Sequence, residues 1–452
     1  MISIMMSYYS ELYTFGELKK TVPEIRYTSQ KKNRYGENRL RADGLLEYPC
    51  RTLASLFSPA IFYGEKLSSI RKIIKQNIQE EFARNSLIRT IPQQGRNNAR
   101  LVLTLMKILD GKPVENLTGL YVPSNALDVM TDIAIASPAV CAYRQSGNEE
   151  DAQMVAKAVV SVFNKPESAA VIDLMYNKKN DDNYYESVLD YCAIGNLQAV
   201  LDEYLYMAPE NKKLGQVVTD AIIGTSNLSI DTTDSLGKEE KKQLMRCHFA
   251  IPFIDKTVTD KSVTRTTNIR KAFNSPFRPF LLSTTSIGQE GLDFHWYARK
   301  IVHWNLPSNP VDLEQREGRI NRFKCLAIRR NVVKLYASET YHTWDELFSM
   351  AYSNLKGMHS DIVPYWCLPV AELTEEQRAK LEYIERIVPL YPLSRDRYKY
   401  ERLIKVLALY RMTLGQPRQE ELLSLLRNMH LSDEQLKELT IDLCPYNKIE
   451  SL

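Results

Sequence analysis

Apolar residues recur at helical spacing through most of the first half of the chain. In residues 66–87 (KLSSIRKIIKQNIQEEFARNSL), Ile70, Ile73, Ile74, Ile78 and Phe82 fall three or four apart, the stripe of an amphipathic helix. The same period predicts helices over 99–109, stopped by Asp110-Gly111-Lys112-Pro113, over 125–135, closed by Ser137-Pro138, and over 151–163, stopped by Asn164-Lys165-Pro166. Pro166 suits the first turn of the next helix, over 169–176, and Glu167 suits the positive end of its dipole. Residues 184–206 read as one helical stretch broken near Gly195-Asn196. The polar segments 177–183 and 231–240 read as loops, and residues 1–60 show no regular pattern.

The pattern changes at Gln243. Residues 244–254, 278–283, 299–304 and 331–336 are short apolar runs of the kind buried strands make. Helical segments over 266–273 and 311–323 alternate with them. Strands alternating with short helices predict βαβ units and a parallel sheet. After residue 338 the helical period returns, over 344–355, 398–412 and 419–429. Two capping-box patterns open further helices, Thr374 with Gln377 and Ser432 with Gln435. The expected organisation is a mainly helical region over 1–150, an α/β lobe with a helical lead-in over 151–345, and a helical extension over 346–452.

Composition narrows the class. The chain has 452 residues, 44% hydrophobic and 25% charged, as in ordinary globular domains. No window of about 18 uninterrupted apolar residues occurs, and the first residues lack the basic region and apolar core of a secretory signal, so the cytoplasm and no membrane are expected. The seven cysteines are scattered, with no CxxC pair and no His at metal-ligand spacing, which predicts reduced thiols and no metal centre. Net charge is +4, with excess Lys and Arg in 19–41 and 66–100. Phosphate contacts need such charges, although a solvated helix face is the better explanation of each run taken alone.

The chemistry concentrates in residues 280–322, FLLSTTSIGQEGLDFHWYARKIVHWNLPSNPVDLEQREGRINR. Ligands of open parallel sheets sit beyond the carboxyl ends of the strands. Thr284 and Thr285 stand there, after the 278–283 strand, where short hydroxyls and backbone N–H groups can hold phosphate oxygens. Gly288 and Gly291 let the following loop turn tightly. Glu290 and Asp293 could bond a ribose hydroxyl or receive an arginine from another domain. On the 311–323 helix, Gln315, Arg319 and Arg322 stand at i, i+4 and i+7, one face, with Gly318 allowing close packing beneath them. Arginines on one face without acids suit a polyphosphate, because guanidinium is permanently charged and forks onto phosphate. An arginine reaching a γ-phosphate from a second domain is an established catalytic device. Strand-end and core packing accounts for His295, Trp296, His303 and Trp304.

Residues 284–293 (TTSIGQEGLD) resemble motif V of superfamily-two helicases and translocases, and residues 315–322 (QREGRINR) resemble motif VI. The intervening HWNLPSNPVDLEQREGR resembles the Snf-type and RapA-like branch, and the resemblance extends more weakly over about residues 125–430. It implies a second RecA-like lobe. By position, Arg322 would be the arginine finger, Arg319 a second phosphate ligand, and Gln315 an interlobe or γ-phosphate contact. Gly288, Glu290, Gly291 and Asp293 would form the loop coupling nucleotide to nucleic acid, and Thr284 or Thr285 would touch the tracked strand. The implied cofactor is ATP with Mg²⁺, and the implied polynucleotide is DNA, with RNA left open.

One departure from that pattern matters. The sequence contains no GxxxxGK[ST] and no DEAD- or DEAH-like box after a buried strand. The β- and γ-phosphates and Mg²⁺ would have to be held by a first lobe elsewhere. The expectation is therefore a motor lobe completed by a partner chain and inactive as an ATPase alone. The alternatives are a non-catalytic nucleic-acid-binding or assembly protein derived from a helicase, and a truncation product without an independent role.

Overall fold

The computed structural model describes residues 44–62, 64–84, 99–114, 125–176, 184–195, 197–208, 213–222, 226–230, 243–247, 270–277, 281–283, 293–337, 343–354, 361–370, 373–413, 417–429, 432, 434, 435, 438 and 441. They fall into two compact units that meet in sequence between Thr225 and Ser226.

The described part of the first unit is helical: α1 (Arg51–Ser55), α2 (Leu67–Arg84), α3 (Ala99–Leu109), α4 (Ala126–Ala136), α5 (Pro138–Ser146), α6 (Glu149–Phe163), α7 (Pro166–Tyr176), α8 (Tyr184–Ile194), α9 (Leu197–Met207) and α10 (Leu214–Ile222). α4 is apolar nearly all round and sits at the centre, with Met130, Ile133 and Ala134 fully buried. α2 and α8 pack on it, and α2 buries Ile70, Ile74, Ile78 and Phe82. Ile73, on the same predicted stripe, is exposed. The break at Gly195-Asn196 separates α8 from α9 as the sequence predicts.

Besides the short α1, two helices here have no counterpart in the sequence reading. Ser137 donates its N–H to the Ile133 carbonyl, closing α4, while its side chain accepts from the Val140 N–H and caps α5, with Pro138 at the first helical position. One Ser-Pro pair is thus a stop and a start. α10 is the second. It packs on α6 through Gly215, whose N–H donates to the Asp151 carboxylate at 2.8 Å, and a Cβ there would run into that carboxylate. Asp110, read as part of a helix stop, also caps α1, accepting from the Thr52 N–H at 2.9 Å and the Thr52 hydroxyl at 2.8 Å.

The second unit holds β1 (Ser226–Ile230), β2 (Gln243–Cys247), β3 (Lys300–Val302), α11 (Pro310–Glu317), α12 (Leu326–Tyr336), α13 (Trp344–Ser353), α14 (Glu375–Ala379), β4 (Glu385–Ile387), α15 (Asp396–Met412) and α16 (Gln419–Asn428). The described strands form two pairs. β1 and β2 are antiparallel, with Leu228 opposite Met245. β3 and β4 are parallel, with Ile301 opposite Arg386, and the His303 N–H extends the ladder to the Ile387 carbonyl. The parallel pair fits the α/β expectation, but its second strand comes from the 346–452 stretch read as helical. Both predicted capping boxes form, at Thr374 with Gln377 and at Ser432 with Gln435.

Three predicted elements differ. Residues 331–336 are helical, the end of α12, although Val332-Val333 favours a strand. Long-range partners decide: Asn331 exchanges two hydrogen bonds with the Glu382 backbone, and Arg329, buried on the same helix, donates to the carbonyls of Lys324 and Trp296. Residues 281–283 carry no strand, and Leu281 is exposed; 278–280 lie outside the described residues. α11 ends at Glu317 and does not run to 323, for a reason that belongs to the site.

Candidate functional site at the arginine turn

α11 begins at Asn309, whose side chain accepts from the Val311 N–H at 3.0 Å, with Pro310 next. At its other end the bonding tightens. Arg319 N–H reaches the Arg316 carbonyl and Ile320 N–H the Glu317 carbonyl, a three-residue step in place of four. The Arg319 carbonyl accepts from the Phe294 N–H at 3.0 Å, so it is taken before a further helical turn can use it. Only Gln315 therefore stands on the helix, exposed on its last turns, while Arg319 and Arg322 stand on the turn that follows. The single helical face expected for the three is not formed. Among the described residues, a Cβ on Gly318 would meet only the Glu314 and Gln315 carbonyls of its own preceding turn, so no second element packs closely beneath it.

Segment 293–297 lies against this turn. Besides the Phe294 bond, Leu326 N–H donates to the His295 carbonyl at 3.0 Å, and Arg329 Nη2 to the Trp296 carbonyl at 2.5 Å. Asn274 Nδ2 donates to the Asp293 carbonyl at 2.6 Å, and Phe273 packs edge-on against buried Phe294. The side chain of Asp293 pairs with Arg322, Oδ1 to Nη2 3.3 Å, with both side chains about two-fifths exposed. Two residues of the predicted set are thus brought into contact. The arginine Asp293 receives is from its own unit. Thr284, Thr285, Gly288, Glu290 and Gly291 lie outside the described residues.

The electrostatics favour an anion. Among the described residues the Arg319 side chain makes no ion pair. The Nε atoms of Arg319 and Arg322 are both buried without a hydrogen-bond partner, which fixes the inner ends of the guanidiniums by packing alone. His295, beside them, is held neutral: burial pushes its pKa down to about 4, and Arg329, Arg322 and Arg270 push the same way against Asp293. The turn itself sets two guanidiniums against the Asp293 carboxylate, with Arg329 and Arg270 also near and the imidazole uncharged. Such a pair of forks could hold a phosphate group.

Behind the turn, the sequence reading missed three supports. Glu317 accepts from Arg386, from β4, through both carboxylate oxygens, and lies 3.1 Å from Nε2 of buried His303. Burial alone would raise its pKa, but the bonds from His303 and Arg386 outweigh it and hold Glu317 at about 2. Lys324 lies with its ammonium over the rings of Phe323, Phe348 and Tyr365, 5.4, 4.9 and 5.6 Å from their centroids. Its backbone is left-handed (φ 50°), and its N–H donates to the Tyr365 carbonyl at 2.7 Å. Arg329 is the third. All three depend on residues far along the chain, and no local pattern announces them.

The family profile described as helicase conserved C-terminal domain matches residues 222–324, under a quarter of the chain. No curated protein and no solved structure matches it. Residues 222–324 thus carry a helicase C-terminal domain, and the arginine turn is its C-terminal end.

Proposed function

We propose that this chain is the second motor lobe of an ATP-dependent DNA translocase of superfamily two. Arg322 is its arginine finger, Arg319 a second phosphate ligand, and Gln315 an interlobe contact. One observation carries this reading: two arginines on a packed turn at the end of a helicase C-terminal domain, one without an ion pair among the described residues and one on a carboxylate it can exchange for phosphate. ATP with Mg²⁺ would supply the free energy of movement. This chain would orient the guanidiniums and keep His295 neutral beside them. The phosphate-binding loop and metal ligands would come from a first lobe, on another chain or on a further part of the same protein. Glu290 and Asp293, with Gly288 and Gly291, would couple the nucleotide to the tracked strand at Thr284 or Thr285.

The test is complementation. The chain alone should not hydrolyse ATP with or without DNA. Addition of a first lobe bearing GxxxxGK[ST] and a DExx box should restore DNA-stimulated hydrolysis, and Arg322→Ala should remove it by about a thousandfold. Turnover by the chain alone, or restored activity indifferent to Arg322→Ala, would overturn the assignment. The lack of a phosphate loop in 452 residues favours a second reading, a nucleic-acid-binding or assembly protein without catalysis. Failure of every first lobe to restore hydrolysis, with DNA binding retained, would select it.

A further inference from the structure

The carboxyl ends of the parallel pair carry a second surface, away from the arginine turn's own contacts. Trp304 follows β3 and is 69% exposed. Tyr391 follows β4, and its ring meets the Trp304 indole at 5.7 Å and 70°. Packing therefore does not account for Trp304 as the sequence led one to expect. The segment between β4 and α15 is built as a tight turn: Ser394 donates to the Tyr391 carbonyl through both its hydroxyl, at 2.8 Å, and its N–H. Leu393 at its tip is fully exposed in a left-handed conformation (φ 64°), a strained position for a branched apolar residue and one for which the fold offers no core.

Basic residues interleave with these rings. Arg395, Arg397, Lys399 and Arg402 are exposed at and just inside the start of α15, with Tyr398 among them. Arg397 pairs with Glu401, but among the described residues Arg395, Lys399 and Arg402 pair with no carboxylate. Cations gathered at a helix N-terminus are placed against its dipole, so helix stability does not explain them. Arg316, from α11, donates to the Asn305 carbonyl at 3.0 Å and joins this surface, next to Trp304, to the segment that carries the arginine turn.

We infer that Trp304 and Tyr391, with Arg395, Lys399 and Arg402, form a binding surface for a single-stranded nucleic acid, the rings taking unstacked bases and the cations the backbone phosphates. This rests on the motor-lobe reading and narrows its substrate to a strand with free bases. In a duplex the base faces are covered by their neighbours, so exposed rings gain nothing from it; on a single strand every base offers a face. The excess of unpaired cations favours a polyanion over an apolar protein face or an acyl-chain surface.

The test uses the full chain and fluorescein-labelled oligo(dT), oligo(rU) and a DNA duplex, titrated by anisotropy. Trp304→Ala and Tyr391→Ala change exposed side chains, and circular dichroism checks that each variant is folded. Each should weaken oligo(dT) binding about tenfold, the worth of one stacked base, and leave duplex binding nearly unchanged. Arg395→Ala with Lys399→Ala should weaken both and flatten the salt dependence. Equal losses on oligo(dT) and oligo(rU) would give shared single-strand chemistry; loss on one alone would assign that strand. Wild-type affinity for both single strands in folded Trp304→Ala and Tyr391→Ala would overturn the inference, with the motor-lobe reading untouched if duplex binding and complementation persist. Binding of no oligonucleotide by the unaltered chain would also overturn it and leave the face to a protein partner.

Discussion

At the scale of single residues, the site is decided by which ionisable groups keep their charge. Glu317 keeps it because Arg386 and His303 supply hydrogen bonds that outweigh burial, with the pKa held at about 2. Its folded pKa lies below the ordinary 4.5, so its contribution is fully present above about 4.5 and is lost as pH falls toward 2. Arg386→Met should cost about 2 kcal/mol at pH 7, the scale of a hydrogen bond to a charged group, read from urea unfolding midpoints. The loss should shrink as the carboxyl is protonated in acid. His295 has the same sign through the opposite chemistry. Its folded pKa, about 4 against 6.5, means that the unfolded chain binds a proton the folded chain refuses between those values. Stability should therefore fall as pH drops from 6.5 toward 4, and His295→Gln should flatten that part of the profile in thermal unfolding scans. Neither residue's state was legible in the sequence. His303 and Arg386 lie 14 and 69 positions from Glu317, and only the fold brings them together.

At the scale of elements, helices were the readable part. The stripes of α2, α3, α4 and α6 and the boxes at Thr374 and Ser432 mark them because a helix's period and caps are local properties. Strands were not. Val332-Val333 looks like a strand because β-branched residues favour one, but Asn331 and Arg329 have partners that only a helix lets them reach together. β4 has three residues and no pattern of its own; it is a strand because β3 is beside it. Two packing details give predictions. Gly215→Ala should cost about 1–3 kcal/mol, since the new Cβ displaces the Asp151 carboxylate from the α10 N–H it accepts from, whereas propensity alone would favour Ala in a helix. Lys324→Ala should lose the ring contacts and keep the unfavourable backbone, costing about 1–2 kcal/mol. Lys324→Gly should recover part of that, because glycine adopts the left-handed conformation freely. Chemical denaturation of the two variants side by side checks the order; Gly worse than Ala would mean that the backbone strain is negligible.

At the scale of the whole molecule, the sequence motifs pointed to the stretch that the helicase C-terminal match covers, while the secondary-structure pattern gave the helices more fully than the sheet. The stretches that resemble motifs V and VI are dense, and the helicase C-terminal match over 222–324 ends just past them. Helical periodicity elsewhere says that a core exists without saying what it serves. The first unit's core is built on α4, and Ile133→Ala should cost about 3 kcal/mol there. On the assignment made above, the same change should leave the affinity for oligo(dT) intact at temperatures where the chain stays folded. A parallel drop in affinity would place part of the strand-binding surface in the first unit.

The pairing of Arg322 with Asp293 has a further consequence for any nucleotide that the turn serves. The guanidinium is already on an anion, so its transfer to a phosphate is an exchange of one oxyanion for another and does not start from a bare charge in water. The net gain is the difference between two similar bonds, small enough for modest movements of the 293–297 segment to tip it. Asp293→Asn would remove the competitor, and a finger freed in this way should hold nucleotide more tightly and release it more slowly. On the motor-lobe reading, a carboxylate in that place would be a means of letting go.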